Sequence, residues 1–508
     1  MPPSFTVLCG RVRTPTCGSK PSAARVQTLT AAVTSRGRRL TSPGGVNKIG
    51  PKPRSRAPNT RGAATHGRDI PLPSLPVFAQ GRRAEEPGNA ALRQDFRRAA
   101  DQYYARSEWN IARIIKSDEG PADGTNTYAK AAELFRRMID EGVLARDDKP
   151  AVYAYDIAYE GPGGETRVRS GFIATARLED FSKGGVKPHE TTLAGPKADR
   201  LNLTRATGAS FGLIFMLYPD KELASDRLLE EAKRGREPDM ETKDDFGALH
   251  RVWVITDEDV ISRLQEILGP VDLFIADGHH RYETAVNYSN EMTAQGRGGS
   301  GLGAVDKGMM AFVNMFSKGL TVFATHRLIH SLPAEKADPA RLIGALEKDF
   351  EIRVIPLAGG GEDDMLDLMA EAYKERRTAF GLTLQGVEQE CYVVTLARRE
   401  AVDEFFGDAH CAAYKSLDVA VLHGLVLEKT LGIGAEALTR QTNVVYARDA
   451  HSAIKRVRTG EMQMCFLMNP TRPEQVAEVA GAGERMPQKS TDFYPKMLTG
   501  LTINKFDV

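Results

Sequence analysis

Apolar residues recur along the chain with two spacings, one that predicts helices and one that predicts strands. Two β-rich runs at 151–159 and 167–178 flank the glycine-containing turn 161–164 and predict a hairpin. A charged segment at about 220–237 predicts a helix. Two further helix stripes consist of Leu92, Phe96, Ala99 and Tyr103, and of Tyr128, Ala132, Leu134, Phe135 and Met138. Other apolar runs predict strands at 211–218, 251–255, 309–316 and 320–324.

The spacing changes within residues 271–285, and this change predicts a strand, a tight turn and the start of a helix. Residues 271–275 form a short apolar run, which Ala276, Asp277 and Gly278 interrupt. Tyr282 and Ala285 then fall on one helical face.

Strand and helix signals continue to alternate after residue 332, which predicts an α+β fold class with two regions. The predicted boundaries give residues 1–68 as a disordered segment, 69–90 as a linker, 91–330 as the first folded region and 331–508 as an additional C-terminal α+β region. No internal repeat is evident.

The N-terminal segment has the composition of an organellar transit peptide. Residues 1–68 contain 13 Lys or Arg and no Asp or Glu, and they lack a sustained apolar core. This pattern predicts targeting to an organelle, with a plastid favoured over a mitochondrion. The alternative is a basic disordered tail that stays on the protein.

Charge and cysteine spacing limit the classes of partner. Beyond residue 68, 55 basic and 67 acidic residues give a net charge of −12, which argues against nucleic acid as the main partner. No apolar run approaches the ~20 residues needed to span a bilayer, so no membrane is expected as a partner. The five cysteines show no close-set pairs, which favours a reducing compartment over a disulfide framework or a zinc site.

The turn at 277–281 is the main candidate for chemistry. The first N–H groups of a helix lack partners and carry the positive end of its dipole. Gly278 allows an anion to approach the backbone, and Arg281 projects a planar set of donors from the first turn. These features predict a phosphate site, with Asp277 placed to hold Mg²⁺. The alternative is that Asp277 only caps the helix and Arg281 pairs with a surface carboxylate.

Two further groups of polar residues are candidates for the same site. Residues 187–200 predict a polar loop, because Pro and Gly punctuate the run. This loop concentrates the charged or titratable residues His189, Glu190, Lys197, Asp199 and Arg200. Within the loop, Glu190 is the best candidate for a general base or for a second metal ligand. The adjacent His279 and His280 point about 100° apart on a helix, so both cannot easily bind one metal ion.

From residue 109 to the C-terminus the chain resembles the family known as domain of unknown function 1015. The motifs that carry the resemblance occur in order along the chain: WNIAR (109–113), KPHET (187–191), GPKADR (195–200), IADGHHRYETA (275–285), THR (325–327), KSLDVA (415–420) and MPQKSTDFYPK (486–496). Family members usually begin with a segment that contains Pro-Pro-Tyr-Asp-Val, and this chain lacks that motif. The lack of the motif bears on turnover more than on binding.

The segment around Gly278 also resembles the phosphate-binding box of the ParB/sulfiredoxin superfamily. This resemblance implies a ParB/sulfiredoxin-like mixed α/β core in residues 91–330, a fold on which a free-serine kinase is also built. It implies that Gly278, His279, His280 and Arg281 contact the phosphates of ATP or another nucleoside di- or triphosphate. His279 stands where sulfiredoxin has its catalytic cysteine, which argues against sulfiredoxin chemistry.

These observations lead to a hypothesis of a nucleotide-dependent phosphotransferase that acts on a small hydroxylated metabolite. Asp277 would position Mg²⁺, Glu190 would accept the substrate proton, and His279 completes the predicted catalytic residues. Lys197 and Arg200 would neutralise the charge that develops on the phosphoryl group. One alternative is a nucleotide-binding regulatory protein without turnover, and a second is a metal-assisted hydrolase that uses His189, His279 or His280. A homo-oligomer is compatible with either.

Overall fold

The computed structural model describes residues 10–12, 101–115, 127–147, 149–191, 194–299, 301–358 and 360–507. The predicted linker, the helix stripe up to Ala99 and nearly all of the predicted targeting segment lie outside these residues. The proposed domain boundaries therefore stay predictions. None of the described helices has the length and apolar character that crossing a membrane requires.

An eight-stranded mixed sheet forms the first half of the structure. Its strands, in spatial order, are Val186–Pro188, Leu273–Asp277, Ile214–Tyr218, Lys307–Asn314, Thr166–Arg177, Val152–Glu160, Leu249–Ile255 and Met240–Lys243. The first two strands are parallel, and Ile214–Tyr218 is parallel to Lys307–Asn314. The predicted hairpin is confirmed, because Val152–Glu160 pairs with Thr166–Arg177 in antiparallel register.

A six-stranded antiparallel sheet forms the second half. Its strands, in spatial order, are Phe350–Pro356, Glu390–Leu396, Ala379–Leu384, Met464–Met468, His326–Ile329 and Val444–Ala447. Two small sheets complete the described strands. One has the order Leu144–Arg146, Gly10–Val12, Thr502–Lys505 and Ala209–Ser210, and the other pairs Thr321–Phe323 with Asp492–Tyr494. The protein therefore contains helices and several sheets, in agreement with the α+β prediction.

Helices connect most of these strands. The α-helices are Ala112–Ile115, Thr127–Asp140, Ala194–Thr207, Ala224–Lys233, Glu258–Leu268, His279–Ala294, Ala334–Ala337, Pro339–Leu346, Gly361–Lys374, Glu400–Phe406, Ala412–Lys415, Asp418–Val421, Ala435–Arg440, Ala450–Arg458 and Pro473–Gly481. Residues 101–106 are also helical. Phe181–Lys183 and Gly301–Gly303 form 3₁₀ turns, and Leu422–Thr430 forms a π-helix.

The central strand Ile214–Tyr218 is buried on both faces and joins two hydrophobic cores. Ile214, Met216 and Tyr218 pack into the core beneath the eight-stranded sheet. Phe215 and Leu217 point the other way and pack into the core that contains residues of the six-stranded sheet. Since successive side chains of a strand point to opposite faces, one strand contributes to both cores.

The prediction of a continuous polar loop over 187–200 is wrong at its C-terminal end. The helix Ala194–Thr207 begins inside this stretch and includes Lys197 and Arg200. Pro196 lies in the first turn of that helix, where a missing N–H costs no intrahelical hydrogen bond. Proline therefore marked a helix start rather than a loop.

We expect Gly171→Ala to destabilise the protein, because a β-carbon at Gly171 would lie 2.3 Å from the carbonyl oxygen of Phe312 and 2.9 Å from a methyl group of Val313. The paired strands would have to separate, at a cost of about 1–3 kcal/mol. Gly344→Ala is the matched control, since a β-carbon there, in the helix Pro339–Leu346, meets nothing within 4 Å. Urea unfolding should show the control to be unchanged or about 0.5–1 kcal/mol more stable. Equal stability of the two variants would contradict this packing.

Candidate functional site

The turn between Leu273–Asp277 and His279–Ala294 opens a helix N-terminus at the sheet. Gly278 is the N-cap of this 16-residue helix and has a left-handed backbone, with φ of 95°. No side chain caps the helix, and its first turn contains no acidic residue. The first N–H groups therefore keep their positive partial charge, which suits an anion. A side chain at Gly278 would be strained by the positive φ and would lie within 2.8 Å of Nε of Arg281.

Arg281 lies directly over this turn and pairs with the residue that precedes Gly278. Its Nη2 donates to Oδ2 of Asp277 over 3.1 Å, and the Arg281 side chain remains 27% exposed. Its Nε is buried and has no acceptor. The expected alternative is thus met in part, because Arg281 does pair with a carboxylate, and that carboxylate is Asp277 itself.

Basic residues of the neighbouring helix line the same turn. Lys197 forms an ion pair of 2.8 Å with Glu283 on the helix His279–Ala294. Burial lowers the pKa of Arg200, and the positive charge of Arg281 lowers it further. Burial also lowers the pKa of His280, followed by the charge of Arg200. The positive charges gathered here therefore disfavour the protonated forms of Arg200 and His280, in addition to the effect of burial.

Arg485 adds a third guanidinium that the sequence did not single out. Burial lowers its pKa against the opposing effect of Glu283, and its Nη1 is buried without an acceptor. The guanidinium carbon lies 5.3 Å from the ring centroid of Phe181. The local signal for Arg485 was weak, since it precedes the polar segment 486–496 and lies about 200 residues from the turn.

Two buried histidines, His189 and His279, hold the turn in place. The ring of His189 is fully buried, with Nδ1 2.6 Å from the carbonyl oxygen of Ile275 and Nε2 2.9 Å from the hydroxyl of Thr491. The backbone N–H of His189 donates to Nε2 of His279 over 3.2 Å. Because Nε2 of His279 accepts this hydrogen bond, we assign the proton of the neutral His279 ring to Nδ1. Nδ1 of His279 lies 3.7 Å from the carboxylate of Glu190.

The structure therefore brings together most of the predicted residues, in two layers. Asp277, Gly278, His280, Arg281, Lys197 and Arg200 form the upper, partly exposed layer. His279 and Glu190 form the lower layer with His189, and the Glu190 side chain is 33% exposed. His279 as a whole residue is only 3% exposed, so its imidazole is not open to a ligand from solvent.

Two other features lie apart from the turn. Arg327, in the family motif 325–327, is buried in the six-stranded sheet and donates to the carbonyl oxygen of Lys489 over 3.0 Å. Among the described residues, no group of three or more His, Cys, Asp or Glu side chains is arranged to hold a metal ion. The described part of the chain thus contains no set of metal ligands for the alternative of a metal-assisted hydrolase that uses His189, His279 or His280.

Comparisons with known proteins agree with the resemblance noted from the motifs. A family model described as protein of unknown function (DUF1015) matches residues 96–420. No curated protein is significantly similar to the chain.

Several solved structures are similar over 62% of the chain. A conserved hypothetical protein from Pyrococcus furiosus is 14% identical, with 89% of its own chain covered and a TM-score of 0.28. A free serine kinase in complex with AMP is also 14% identical, with 89% covered and a TM-score of 0.29. SbnI with a C-terminal truncation, from Staphylococcus aureus, is 10% identical, with 82% covered and a TM-score of 0.28. The ParB/sulfiredoxin-like core stays a prediction.

We expect the protein to lose stability as the pH falls below about 6.5, in part because of His279. Burial lowers the pKa of His279 well below its usual 6.5, and the neighbouring His189 lowers it further. As the pH falls through about 6.5, His279 therefore becomes protonated in the unfolded chain but stays neutral in the folded protein. This contribution to stability is full above that pH and declines below it, by up to about 1.4 kcal/mol per pH unit.

The measurement is the free energy of unfolding by urea between about pH 7 and 5 for the wild type and His279→Gln. The variant should show a shallower decline, whatever its stability at neutral pH. An unchanged slope would mean that His279 takes up its proton over the same pH range in the folded and the unfolded chain.

Proposed function

The chain belongs to the family of proteins of unknown function DUF1015, and we propose that its 277–281 turn binds the phosphates of a nucleoside di- or triphosphate. ATP or ADP would be the phosphoryl donor, and the acceptor would be a small hydroxylated metabolite. Below, the term phosphate seat denotes the 277–281 turn together with Lys197, Arg200 and Arg485.

The observation that carries this proposal is a pair of buried guanidinium donors without acceptors beside an uncapped helix. Nε of Arg281 and Nη1 of Arg485 have no hydrogen-bond partner. A buried donor left unsatisfied costs about 1–3 kcal/mol. A phosphate oxygen accepts from guanidinium groups and from helix N–H groups alike, so one ligand would satisfy both sets of donors. Small rotations of Arg281 away from Asp277 would expose its full set of donors.

Phosphoryl transfer requires positive charge around the transferred group and a base near the attacking hydroxyl. Lys197 and Arg200 supply the charge from the helix Ala194–Thr207. Glu190, which is partly exposed and lies beside Nδ1 of His279, would accept the proton of the acceptor hydroxyl. The buried histidine pair would hold that carboxylate in place.

We propose that Mg²⁺ enters the seat together with the nucleotide, because the described residues alone supply no ligand set for a metal ion. In phosphate sites this ion is usually held by one or two carboxylates together with phosphate oxygens and water. Asp277 is the carboxylate next to the phosphate-binding backbone and would contribute to such a site once Arg281 turns to the phosphates. The ion would supply charge neutralisation for the phosphoryl group.

A second candidate function is a nucleotide-binding regulatory protein without turnover. The observation in its favour is the 3.1 Å ion pair between Arg281 and Asp277. This pair joins the residue proposed to bind phosphate to the residue proposed to bind Mg²⁺. If the ion pair persisted when nucleotide binds, the phosphates would accept hydrogen bonds from the seat, but Asp277 would not be available for catalysis.

We expect Arg281→Gln to weaken ATP and ADP binding by about 10- to 100-fold, because a charged hydrogen bond to phosphate is worth about 1.5–3 kcal/mol. The melting temperature of the unliganded protein should change little, since a partly exposed ion pair contributes about 1 kcal/mol or less. Arg297→Gln is the matched control, because Arg297 is exposed beyond the far end of the same helix. Titration calorimetry measures the affinities. Equal affinities of the two variants would contradict the proposed seat.

We expect Glu190→Gln to retain nucleotide affinity and to lose about 100-fold or more of phosphoryl transfer, because general base catalysis contributes about 10²–10⁴-fold. Transfer is followed by ³¹P NMR with ATP or ADP and Mg²⁺ on a pool of small hydroxylated metabolites. Tight nucleotide binding by the wild type without any transfer would favour the regulatory protein. Loss of nucleotide binding in Glu190→Gln would mean that Glu190 is part of the binding surface rather than a base.

A further inference from the structure

A cavity, called the second cavity below to set it apart from the phosphate seat, lies in the half of the structure that contains the six-stranded sheet. Its empty volume, including the part open to solvent, is about 320 Å³. Two arginines line it, Arg327 and Arg472, together with the carboxyl of Asp418 and polar side chains that include Asn469 and Gln475. The lining of guanidinium, amide and hydroxyl groups suits a small polar ligand.

Arg327 is a buried cation that no carboxylate neutralises. The residue is 2% exposed, and it forms no ion pair with any residue that the structure describes. Its donors instead meet carbonyl oxygens, including those of Thr325 and Lys489, and Nε of Arg327 lies 3.4 Å from Nε2 of His423. Burial lowers the pKa of Arg327 to about 10. Charged side chains are rarely buried without a counter-charge, because the desolvation cost is large.

The other charged residues of the cavity do not supply that counter-charge. Arg472 adds a second positive charge, and its guanidinium carbon lies 3.8 Å from the ring centroid of Tyr373. No described carboxylate pairs with Arg472 within ion-pair distance. Asp418 is the acidic member of the lining, and burial raises its pKa to about 7, so at neutral pH it carries only part of a negative charge. The cavity is therefore positive.

We propose that this cavity is a binding site for a compact oxyanion, held between Arg327 and Arg472. The oxyanion is a carboxylate or a phosphate, and both accept hydrogen bonds from planar guanidinium groups. The remaining polar groups of the cavity, Asn469 and Gln475 among them, would bind hydroxyl or amino groups on the same ligand. This site uses none of the residues of the phosphate seat, and the proposal does not depend on the seat.

The test is titration calorimetry of the full chain with inorganic phosphate and, separately, with malonate. Titrations in the Arg281→Gln background weaken anion binding at the phosphate seat by roughly the 10- to 100-fold expected above. We expect at least one of the two anions to bind in this background, and the tighter one identifies the oxyanion class. Arg472→Met should weaken that binding by about 10-fold or more, since it removes a charged pair of donors.

Arg440→Gln is the matched control, because Arg440 is 71% exposed at the end of the helix Ala435–Arg440 and pairs with Glu436. In the Arg281→Gln background, Arg440→Gln should leave the affinity for the anion unchanged. Should Arg472→Met fail to fold, Arg472→Lys keeps the charge and loses the planar donors, and it should weaken binding by several fold. Absence of binding of both anions, or unchanged affinity in a folded Arg472 variant, would overturn the proposal. Loss of nucleotide binding in Arg281→Gln with retained anion binding would separate the two sites.

Discussion

The left-handed backbone of Gly278 is the constraint on which the candidate site depends. It lets the strand Leu273–Asp277 run directly into the helix His279–Ala294, so that the helix N-terminus opens at the sheet without a capping side chain. His189 then holds the turn on both sides, through the carbonyl oxygen of Ile275 and through Nε2 of His279. Because both contacts are buried, the donors of the first turn are fixed before any ligand arrives.

The second organising feature is the segment 485–497, which runs past both halves of the structure. Three buried side chains hold its backbone or hydroxyl groups: Arg169 donates to the carbonyl oxygen of Pro495, Arg327 to that of Lys489, and His189 contacts Thr491. These carbonyl oxygens offset part of the cost of burying the two guanidinium groups, although they supply no counter-charge. This anchoring places Arg485 at the phosphate seat and Ser490 at the second cavity.

The sequence predicted the elements whose signals are local. The hairpin, the strand–turn–helix at 271–285 and the helix near 220–237 all arise from spacing within about ten residues, and the structure contains each of them. The start of the helix at Ala194 was missed, because Pro196 in a first turn has the same local signal as proline in a loop. Arg485 and Thr491 were missed because their contacts join segments about 200 to 300 residues apart, which no periodicity records.

The central claim is that the seat recognises phosphate groups rather than a base or a sugar. It is tested most directly by titration calorimetry of the full chain with adenosine, AMP, ADP and ATP under one set of conditions. A seat built from a helix N-terminus and guanidinium groups predicts that affinity rises with the number of phosphates, from adenosine through AMP to ADP, and that added salt weakens binding. Equal affinity for adenosine and ADP, or no binding of any of the four, would contradict the account.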